Sequence, residues 1–331
     1  MIRSSLLALL FSTTTAMADA PKVVTDFAPV QSLVAQVMDG VATPDVLLPQ
    51  EADPHAFQMR PSQARTLAQA DMVFWVGPEL TPWLDRALDG LGDAKAVALL
   101  DMPGTNLRES DHVHGHEDHD DEAHHDDAHD THEDKHEDGH ETEHEHEHEH
   151  EQHEDVHDED HNHDPHAWLS PDNAAIWLTA IAERLAEQDP EHAETYRANA
   201  AQARERLIQL DKNLVSQLKP VQDRGFIVFH DAYGYLVDHF GLTQKGALRE
   251  GDNAAPSAAR LSELQALLAN GEVVCAFAEA AVGGEMLETL SQGTGTALGV
   301  LDPIGTTVPV GPDLYEQMMR KNVDAIVDCL Q

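Results

Sequence analysis

The chain has 331 residues and a formal net charge of −41 at pH 7, with 20 basic side chains, 61 acidic side chains and 23 histidines. Residues 109–164 contribute −25 of that charge through 26 acidic side chains and one lysine, which leaves −16 for the rest of the chain. Because both parts are acidic, the charge argues against nucleic acid and anionic membranes as partners. The length is sufficient for two ordinary domains.

Residues 1–20 have the pattern of a secretory signal peptide. A basic Arg3 precedes a short apolar run, and small residues follow it, with cleavage expected after Ala18 or Ala20. The apolar run is far shorter than the ~20 residues of a membrane-spanning helix, and no later run is long enough either. No cysteine near the cleavage point offers a lipid attachment site. We therefore expect a soluble protein of a bacterial periplasm, without a lipid anchor.

Strand and helix patterns alternate over the first hundred residues. The apolar run MVFWVG is typical of a strand buried on both faces, and Pro61 suits the first turn of a helix. Such alternation with short connections predicts a parallel sheet covered by helices. In chain order the predicted elements are strand 23–27, helix 28–40, strand 41–48, helix 60–70, strand 72–77, helix 79–90 and strand 96–100.

Residues 106–164 interrupt this alternation. They hold 18 of the 23 histidines and almost no apolar side chains. The strict His/Glu alternation of HEHEHEHE at 144–151 contains nothing apolar, so it does not predict a half-buried strand. Because the segment cannot bury enough apolar surface to offset the entropy of ordering, we expect a disordered loop at 109–164, inserted into the first lobe.

Two helices are predicted after the insertion. Ser170 is a favourable N-cap and Pro171 suits the first helical position, ahead of an apolar stripe. The next helical pattern, 190–218, is unbroken for about 28 residues, or ~42 Å at 1.5 Å per residue. A helix of that length is well suited to joining two lobes.

A second alternation follows the long helix and predicts a second lobe of similar build. The expected fold is therefore α/β, with four parallel strands in each lobe, and the expected domains are 21–188, a linking helix at 189–219, and 220–331. The predicted elements are strand 225–230, helix 231–241, strand 242–248, helix 255–271, strand 272–279, helix 283–292, strand 297–303 and helix 312–330.

The chain has two cysteines, Cys275 and Cys329. In an exported protein such a pair predicts a disulfide. Closing a loop of this length would stabilise the fold by about 4 kcal/mol in the chain-entropy model. Two buried free thiols remain the alternative.

Five histidines lie outside the insertion. His55 follows a predicted strand, His230 ends another, and His166 precedes a helix cap. Ligands of open α/β sheets bind beyond the carboxyl ends of strands, so these three are candidate ligand residues. His192 and His239 lie on predicted helices, where we expect them to be solvated or packing residues.

The tripeptide DPH occurs twice, at 53–55 and 164–166, and in each case proline restricts the backbone just before the histidine. Three neutral imidazoles with one open or oxygen-filled position form a recurrent tetrahedral Zn²⁺ site. Asp302, in VLDPIG after another predicted strand, is a candidate carboxylate ligand.

These residues resemble those of the metal-binding proteins of bacterial ABC importers of the zinc/manganese class. The resemblance extends from about residue 23 to the C-terminus, and the acidic, His-rich insertion is typical of the zinc branch. Five stretches carry it: DPHAFQMRPSQARTLAQADMVFWVGPEL, DPHAWLSPDNA, FIVFHDAYGYL, CAFAEA and LDPIG.

The resemblance implies two lobes joined by one long rigid helix, with a metal ion in the cleft between them. The family's three histidine ligands correspond to His55, His166 and His230. Manganese and iron members tend to have a carboxylate where His230 stands, so the resemblance implies zinc. The cysteine pair also matches a bridge seen in zinc members. Some zinc members have Glu directly before the first histidine, but here that residue is Pro54, which leaves water, Asp302 or a loop side chain as fourth ligand.

The function implied is a high-affinity periplasmic zinc-binding protein that delivers Zn²⁺ to the membrane permease of an ABC importer, acting as a monomer and without catalysis. A secreted zinc hydrolase is one alternative, with Glu279 as base. Against it, the HExxH matches of the chain, such as HEDKH at 132–136, all lie in the insertion that is expected to be disordered and none lies on a predicted helix. A zinc buffer or metallochaperone working without a transporter is another.

For the insertion, we expect that residues 112–163 collect zinc weakly and pass it to the cleft. Imidazoles such as His144, His146, His148 and His150 supply nitrogen ligands, and the carboxylates raise the local cation concentration. A purely solubilising role and a pH or metal-abundance sensor remain alternatives.

Overall fold

The computed structural model describes residues 19–90, 96–110, 163–249, 251, 255–280 and 282–331. The predicted signal peptide up to residue 18 lies outside these residues. Most of the predicted insertion also does, including His144, His146, His148 and His150. Among the described residues, no helix combines the length and the apolar character that crossing a membrane requires.

The first lobe is a four-stranded parallel sheet covered by helices, as the alternation predicts. Its strand order is β2-β1-β3-β4, so the chain starts in the middle of the sheet and extends it to both sides. The elements are β1 Val23–Thr25, α1 Ala28–Val37, β2 Asp45–Val46, α2 Pro61–Ala68, β3 Met72–Trp75, α3 Pro82–Leu88, β4 Ala96–Ala98 and α4 Pro171–Gln188.

The second lobe repeats this topology. Its parallel strands lie in the order β6-β5-β7-β8, which places a topological switch point between β5 and β7. Its elements are β5 Gly225–His230, α6 Gly234–Phe240, β6 Thr243–Arg249, α7 Ala258–Ala269, β7 Cys275–Glu279, α8 Gly284–Ser291, β8 Ala297–Leu301 and α9 Leu314–Leu330.

The long helix α5, Ala193–Leu218, connects the two lobes. Its 26 residues span ~39 Å. It packs against α1 and α4 of the first lobe and α9 of the second. Helical spacing explains how one face reaches both lobes, since its buried side chains recur every three or four residues: Tyr196, Ala200, Ala203, Leu207, Leu210, Leu214 and Leu218.

Buried hydrogen bonds also join the two lobes. The hydroxyl of Ser32 on α1 donates to the carbonyl of Pro312 at 2.9 Å and accepts from the amide of Tyr315 at 3.0 Å. The hydroxyl of Tyr315 donates to the carbonyl of Trp168, and the indole of Trp168 donates to the carbonyl of Pro303. Because these groups are buried, separating the lobes would leave unsatisfied polar atoms.

The predicted disulfide is confirmed. Cys275, the first residue of β7, is bonded to Cys329 near the end of α9, with their Cα atoms 5.9 Å apart. The sequence separation of 54 gives a stabilisation of about 4 kcal/mol in the chain-entropy model. The bridge fixes the last helix to the second sheet.

Two local features of the first lobe concern the start of α4 and the end of β2. The N-cap role of Ser170 is confirmed, because its hydroxyl accepts from the amide of Asn173. The strand predicted at 41–48 is much shorter than expected, with only two paired residues. Pro44 directly precedes this strand and lacks the N–H that a ladder requires. The amides of Leu47 and Leu48 still donate to the carbonyls of the last residue of β1 and of the residue after it. The chain leaves the sheet at Pro49 and forms the long loop that carries His55.

Asp26, directly after β1, is fully buried, and its burial shifts the pKa of its carboxyl group. Its carboxylate accepts from the amides of Phe27 and Val76, both at 2.8 Å. Burial outweighs these bonds and raises the pKa of Asp26 from 3.8 to about 7. Between these pH values the folded protein holds a proton that the unfolded chain has lost, so the contribution of Asp26 to stability falls as the pH rises.

We predict that Asp26→Asn removes this pH dependence. The difference in unfolding free energy between the wild-type protein and D26N should fall by up to about 4 kcal/mol from pH 4 to pH 7, at about 1.36 kcal/mol per pKa unit, and stay level above pH 7. Urea denaturation across this range measures it. The exposed Asp39→Asn is the control, and an equal slope for both variants would contradict the assignment.

Candidate metal centre

Three of the sequence-predicted ligand residues converge. One ring nitrogen each from His55, His166 and His230 lies within 4.8 Å of the other two. The ring centroids are 5.3 Å apart for His55 and His166, 5.7 Å for His55 and His230, and 5.1 Å for His166 and His230. Among the described residues this is the only group of three or more His, Cys, Asp or Glu close enough to hold an ion. The geometry fits one divalent cation with three nitrogen ligands.

His55 is presented by the loop between β2 and α2. The carboxylate of Asp53 accepts the amide of His55 at 2.9 Å, which closes a tight turn around Pro54. The indole of Trp83 on α3 donates to the carbonyl of Pro54 at 2.8 Å. Phe57 packs against the same indole, with ring centroids 5.2 Å apart. The turn and the tryptophan together hold this loop above the sheet.

His166 is the most deeply buried of the three, at 3% exposed. One oxygen of Asp164 accepts both the His166 amide, at 3.0 Å, and the His166 Nδ1–H, at 2.8 Å. An ionised carboxylate only accepts, so Nδ1 of neutral His166 carries the proton and Nε2 keeps its lone pair for a metal. The two DPH tripeptides thus fold alike, since each Asp accepts the amide of the histidine two residues on.

His230 is the last residue of β5, and Glu279 is the last residue of β7, its neighbour in the sheet. The two side chains meet beyond the strand ends, with His230 Nδ1 3.4 Å from the Glu279 carboxylate. This is the switch point of the second sheet, where ligands of such folds bind. The contact is a close approach rather than a hydrogen bond, because this carboxylate oxygen has no hydrogen-bond partner among the described residues.

The three imidazoles line a cavity of about 150 Å³. That volume has room for an ion and a few waters, at about 30 Å³ per water. Its charged lining groups are four carboxylates and one guanidinium, so its field favours a cation. Nearby, burial and then the charges of Glu279 and Asp302 raise the pKa of Tyr233 well above its ordinary value. The charged residues that line the cavity are Glu51, Asp53, Glu279, Asp302 and Arg249.

Asp302 lines the same cavity, but its carboxylate is already engaged. Its oxygens accept four hydrogen bonds, from the amides and the hydroxyls of Thr306 and Thr307, at 2.8 to 3.1 Å. These bonds hold the loop that follows β8. A ligand role for Asp302 stays a prediction, and its hydrogen bonds indicate that it would have to release some of them to bind an ion.

The two remaining described histidines predicted as packing residues contact carboxylates elsewhere. His192 Nδ1 lies 2.7 Å from the carboxylate of Asp189. His239 Nε2 lies 2.7 Å from Asp211 on α5, and its Nδ1 is 3.4 Å from Asp172 on α4. Neither ring reaches the cavity of the three histidines.

Two residues of the site have a larger role than the sequence indicates. Asp164 orients a ligand ring, whereas the sequence shows only its place in a DPH tripeptide. Glu279 adjoins His230, whereas the sequence suggests it only as a base for hydrolysis. The repeated Asp two residues before each histidine is a signal for the first. For the second, Glu279 ends a buried strand just as His230 does.

Comparisons with known proteins identify relatives of this chain and agree with its fold. The family model for the periplasmic zinc-uptake complex component A, ZnuA, matches residues 23–329. A high-affinity zinc uptake system protein ZnuA of Paracoccus denitrificans (strain Pd 1222) is 48% identical over 336 residues, which cover 100% of this chain and 99% of that protein. One of the same name from Brucella abortus (strain 2308) is 41% identical over 310 residues, covering 93% and 91%. A solved structure of ZnuA shares the fold, with a TM-score of 0.70 at 22% identity, covering 95% of this chain and 100% of that one.

We predict that substitutions of Glu279 and Asp302 differ in their effects on metal binding and on stability. Glu279→Gln removes the charge beside His230 and should weaken divalent-metal binding by about 10- to 100-fold with little change in melting temperature. Asp302→Asn replaces one acceptor oxygen by a donating amide group that faces other donors, and should cost about 1–3 kcal/mol of stability while binding falls less. Metal titration and thermal denaturation of each variant measure both effects. The opposite pattern would identify Asp302 as the ligand.

Proposed function

Because the chain belongs to the ZnuA family of periplasmic zinc-uptake components, we propose that it captures Zn²⁺ with high affinity and delivers it to an ABC-type membrane permease. The observation that carries this proposal is the convergence of His55, His166 and His230, from three distant segments, on one small cavity. The names of the relatives, high-affinity zinc uptake system proteins, support the same cargo.

The donor set supports zinc over harder cations. Three imidazole nitrogens suit Zn²⁺, whereas Mn²⁺ and Mg²⁺ prefer oxygen ligands. His55, His166 and His230 are the tight site in this proposal, and the fourth position is held by Glu279, Asp302 or water. Glu279 is favoured by its contact with His230. Because imidazole must be neutral to bind a metal, zinc affinity should fall as the pH drops.

The family consists of solute-binding proteins and not of enzymes, which removes the hydrolase alternative. In this proposal Glu279 acts on His230 and the ion, not as a base for water. The same family membership favours a partner of a transporter over a free zinc buffer. We propose that the chain acts as a monomer after export directed by residues 1–20, and that it has no nucleic-acid partner.

Release requires that docking to the permease weakens a tight site. The loop that holds His55 lies between β2 and α2, outside regular secondary structure. The contacts that fix it include the turn at Asp53, the Trp83 bond and the bonds from Gln50 to the carbonyls of Gly305 and Val308. His166 and His230 are anchored by a buried carboxylate and by a strand. We propose that displacement of the His55 loop, rather than wide separation of the lobes, opens the site.

The His-rich insertion is proposed to collect zinc weakly and pass it to the cleft. Most of it lies outside the described residues, but its two ends are described. Glu109 and His163 form an antiparallel bridge, and the amide of Asp164 donates to the carbonyl of Arg108 at 2.8 Å. Asp164 is two residues from His166. The insertion therefore begins and ends beside the proposed tight site, which supports a short transfer path.

We predict that Ala at His55, His166 or His230 each weakens zinc binding by more than about 100-fold, above the 10- to 100-fold cost of losing a group that only orients a ligand. His192→Ala is the matched control and should bind as the wild type does, because its ring lies outside the cavity. Metal analysis with zinc and manganese in competition should recover zinc at the tight site. Preference for manganese, or tight zinc binding by H166A, would refute the proposal.

We predict that deletion of 112–162, with the bridge between Glu109 and His163 kept, leaves one tight zinc site and removes weaker ones. Calorimetric titration of the deleted and full-length proteins compares both the stoichiometry and the affinity of the first ion. Equal stoichiometry in the two proteins would show that the insertion binds no zinc. A lost first site would show that the insertion supplies ligands to it.

A further inference from the structure

Arg108 occupies a place that the metal site does not itself explain. It lies just before the insertion, and its guanidinium reaches two carboxylates on different parts of the fold. Nη1 is 3.5 Å from Asp164, and Nε donates to Asp238 on α6 at 3.1 Å. Asp164 is the residue that holds His166, so Arg108 contacts the group that orients a metal ligand.

Gly234, the first residue of α6, makes room for this guanidinium. A Cβ added at Gly234 would lie 2.5 Å from Nη1, 2.6 Å from Cζ and 2.8 Å from Nε of Arg108. No residue with a Cβ fits there unless the guanidinium moves. The backbone of Gly234 is not in the left-handed region, so its lack of a side chain is needed for space rather than for conformation. Helix α6 therefore has a notch that seats Arg108.

The same contact is reinforced through Tyr235, the next residue of α6. Its hydroxyl accepts the amide of Arg108 and donates to the carbonyl of Asp164, both at 2.9 Å. Burial raises the pKa of this tyrosine well above its ordinary value, so the hydroxyl keeps its proton and its donor role. The Tyr235 side chain thus binds the main chain of both Arg108 and Asp164, so helix α6 of the second lobe contacts both residues of the pair.

Asp164 needs such support because it is a carboxylate only 5% exposed. A buried anion is costly without compensating charge and hydrogen bonds. Its Oδ1 accepts both bonds from His166, and its Oδ2 lies 3.5 Å from Nη1 of Arg108. If the guanidinium moved, the carboxylate would be free to rotate toward solvent and release Nδ1 of His166.

We propose that Arg108, seated in the notch at Gly234, is a positioning residue for metal capture. It holds the Asp164 carboxylate so that His166 keeps its proton on Nδ1 and presents Nε2 to the ion. The consequence is that the geometry of a ligand in the first lobe depends on a contact with α6 in the second. This inference rests on the proposed zinc-binding function and names residues outside the three-histidine set.

The test compares two variants that disturb the same contact from opposite sides. Arg108→Ala removes the guanidinium, and Gly234→Ala displaces it while leaving the arginine in place. Each should weaken the first zinc equivalent by about tenfold, the lower end of the range for groups that orient a ligand. Competition of the full-length protein with a chromogenic chelator, at less than one equivalent of zinc, measures this affinity.

Matched controls separate positioning from general damage. Gly284→Ala is the control for G234A, because Gly284 is also the first residue of a helix and a Cβ there meets nothing within 4 Å. Asp238→Asn removes the exposed outer partner of Arg108, and as a surface pair it should change affinity less than twofold. Arg108→Lys keeps the charge and should recover part of the loss.

A structural role alone would not change the proton position on His166. In metal-free protein at pH 8, ¹⁵N NMR of the assigned His166 ring should show Nδ1 protonated in the wild type and a mixture of tautomers in R108A and G234A. Binding within twofold of the wild type and an unchanged tautomer in both variants would overturn the inference. That result, with zinc lost in H166A, would leave the zinc-binding function intact, whereas tight binding by H166A would defeat the function itself.

Discussion

The proposed metal centre depends on carboxylates beside its histidines, one of which, Asp164, fixes a histidine ring before any ion arrives. Asp164 accepts both the ring and the amide of His166, Asp53 accepts the amide of His55, and Glu279 adjoins His230. A ring held in this way has lost most of its rotational freedom during folding, so metal binding does not have to bear that cost. This orientation also selects the ring nitrogen that faces the cavity.

The second requirement is a fixed geometry between the two lobes, because the proposed ligands come from both. Helix α5 contributes one buried face to the core of each lobe, and the bonds around Trp168 and Tyr315 cross the boundary where no water competes. In the proposed release step, motion therefore occurs in the loop around His55 rather than between the sheets. The covalent link of Cys275 to Cys329 strengthens the second lobe without restricting that loop.

Much of the architecture follows from sequence patterns, and the exceptions have physical reasons. The strands lie within the predicted alternations, but β2 contains only Asp45–Val46, and Pro44 directly before it lacks the N–H that a longer ladder would require. Local pattern places His55, His166 and His230 at loop and strand ends, which suffices to select them. It does not reveal that Asp302 is engaged by Thr306 and Thr307, because hydroxyl and amide donors in the following turn carry no periodic signal.

The bridge between Glu109 and His163 has a consequence for how such a chain can change over generations. The bridge pairs the two ends of the insertion, so for a flexible loop each doubling of its length would cost about 0.6 kcal/mol in closure entropy. A cost this small would let lineages lengthen, shorten or recode the segment. For the same reason, a reporter domain whose termini lie close together could replace the insertion between Glu109 and His163.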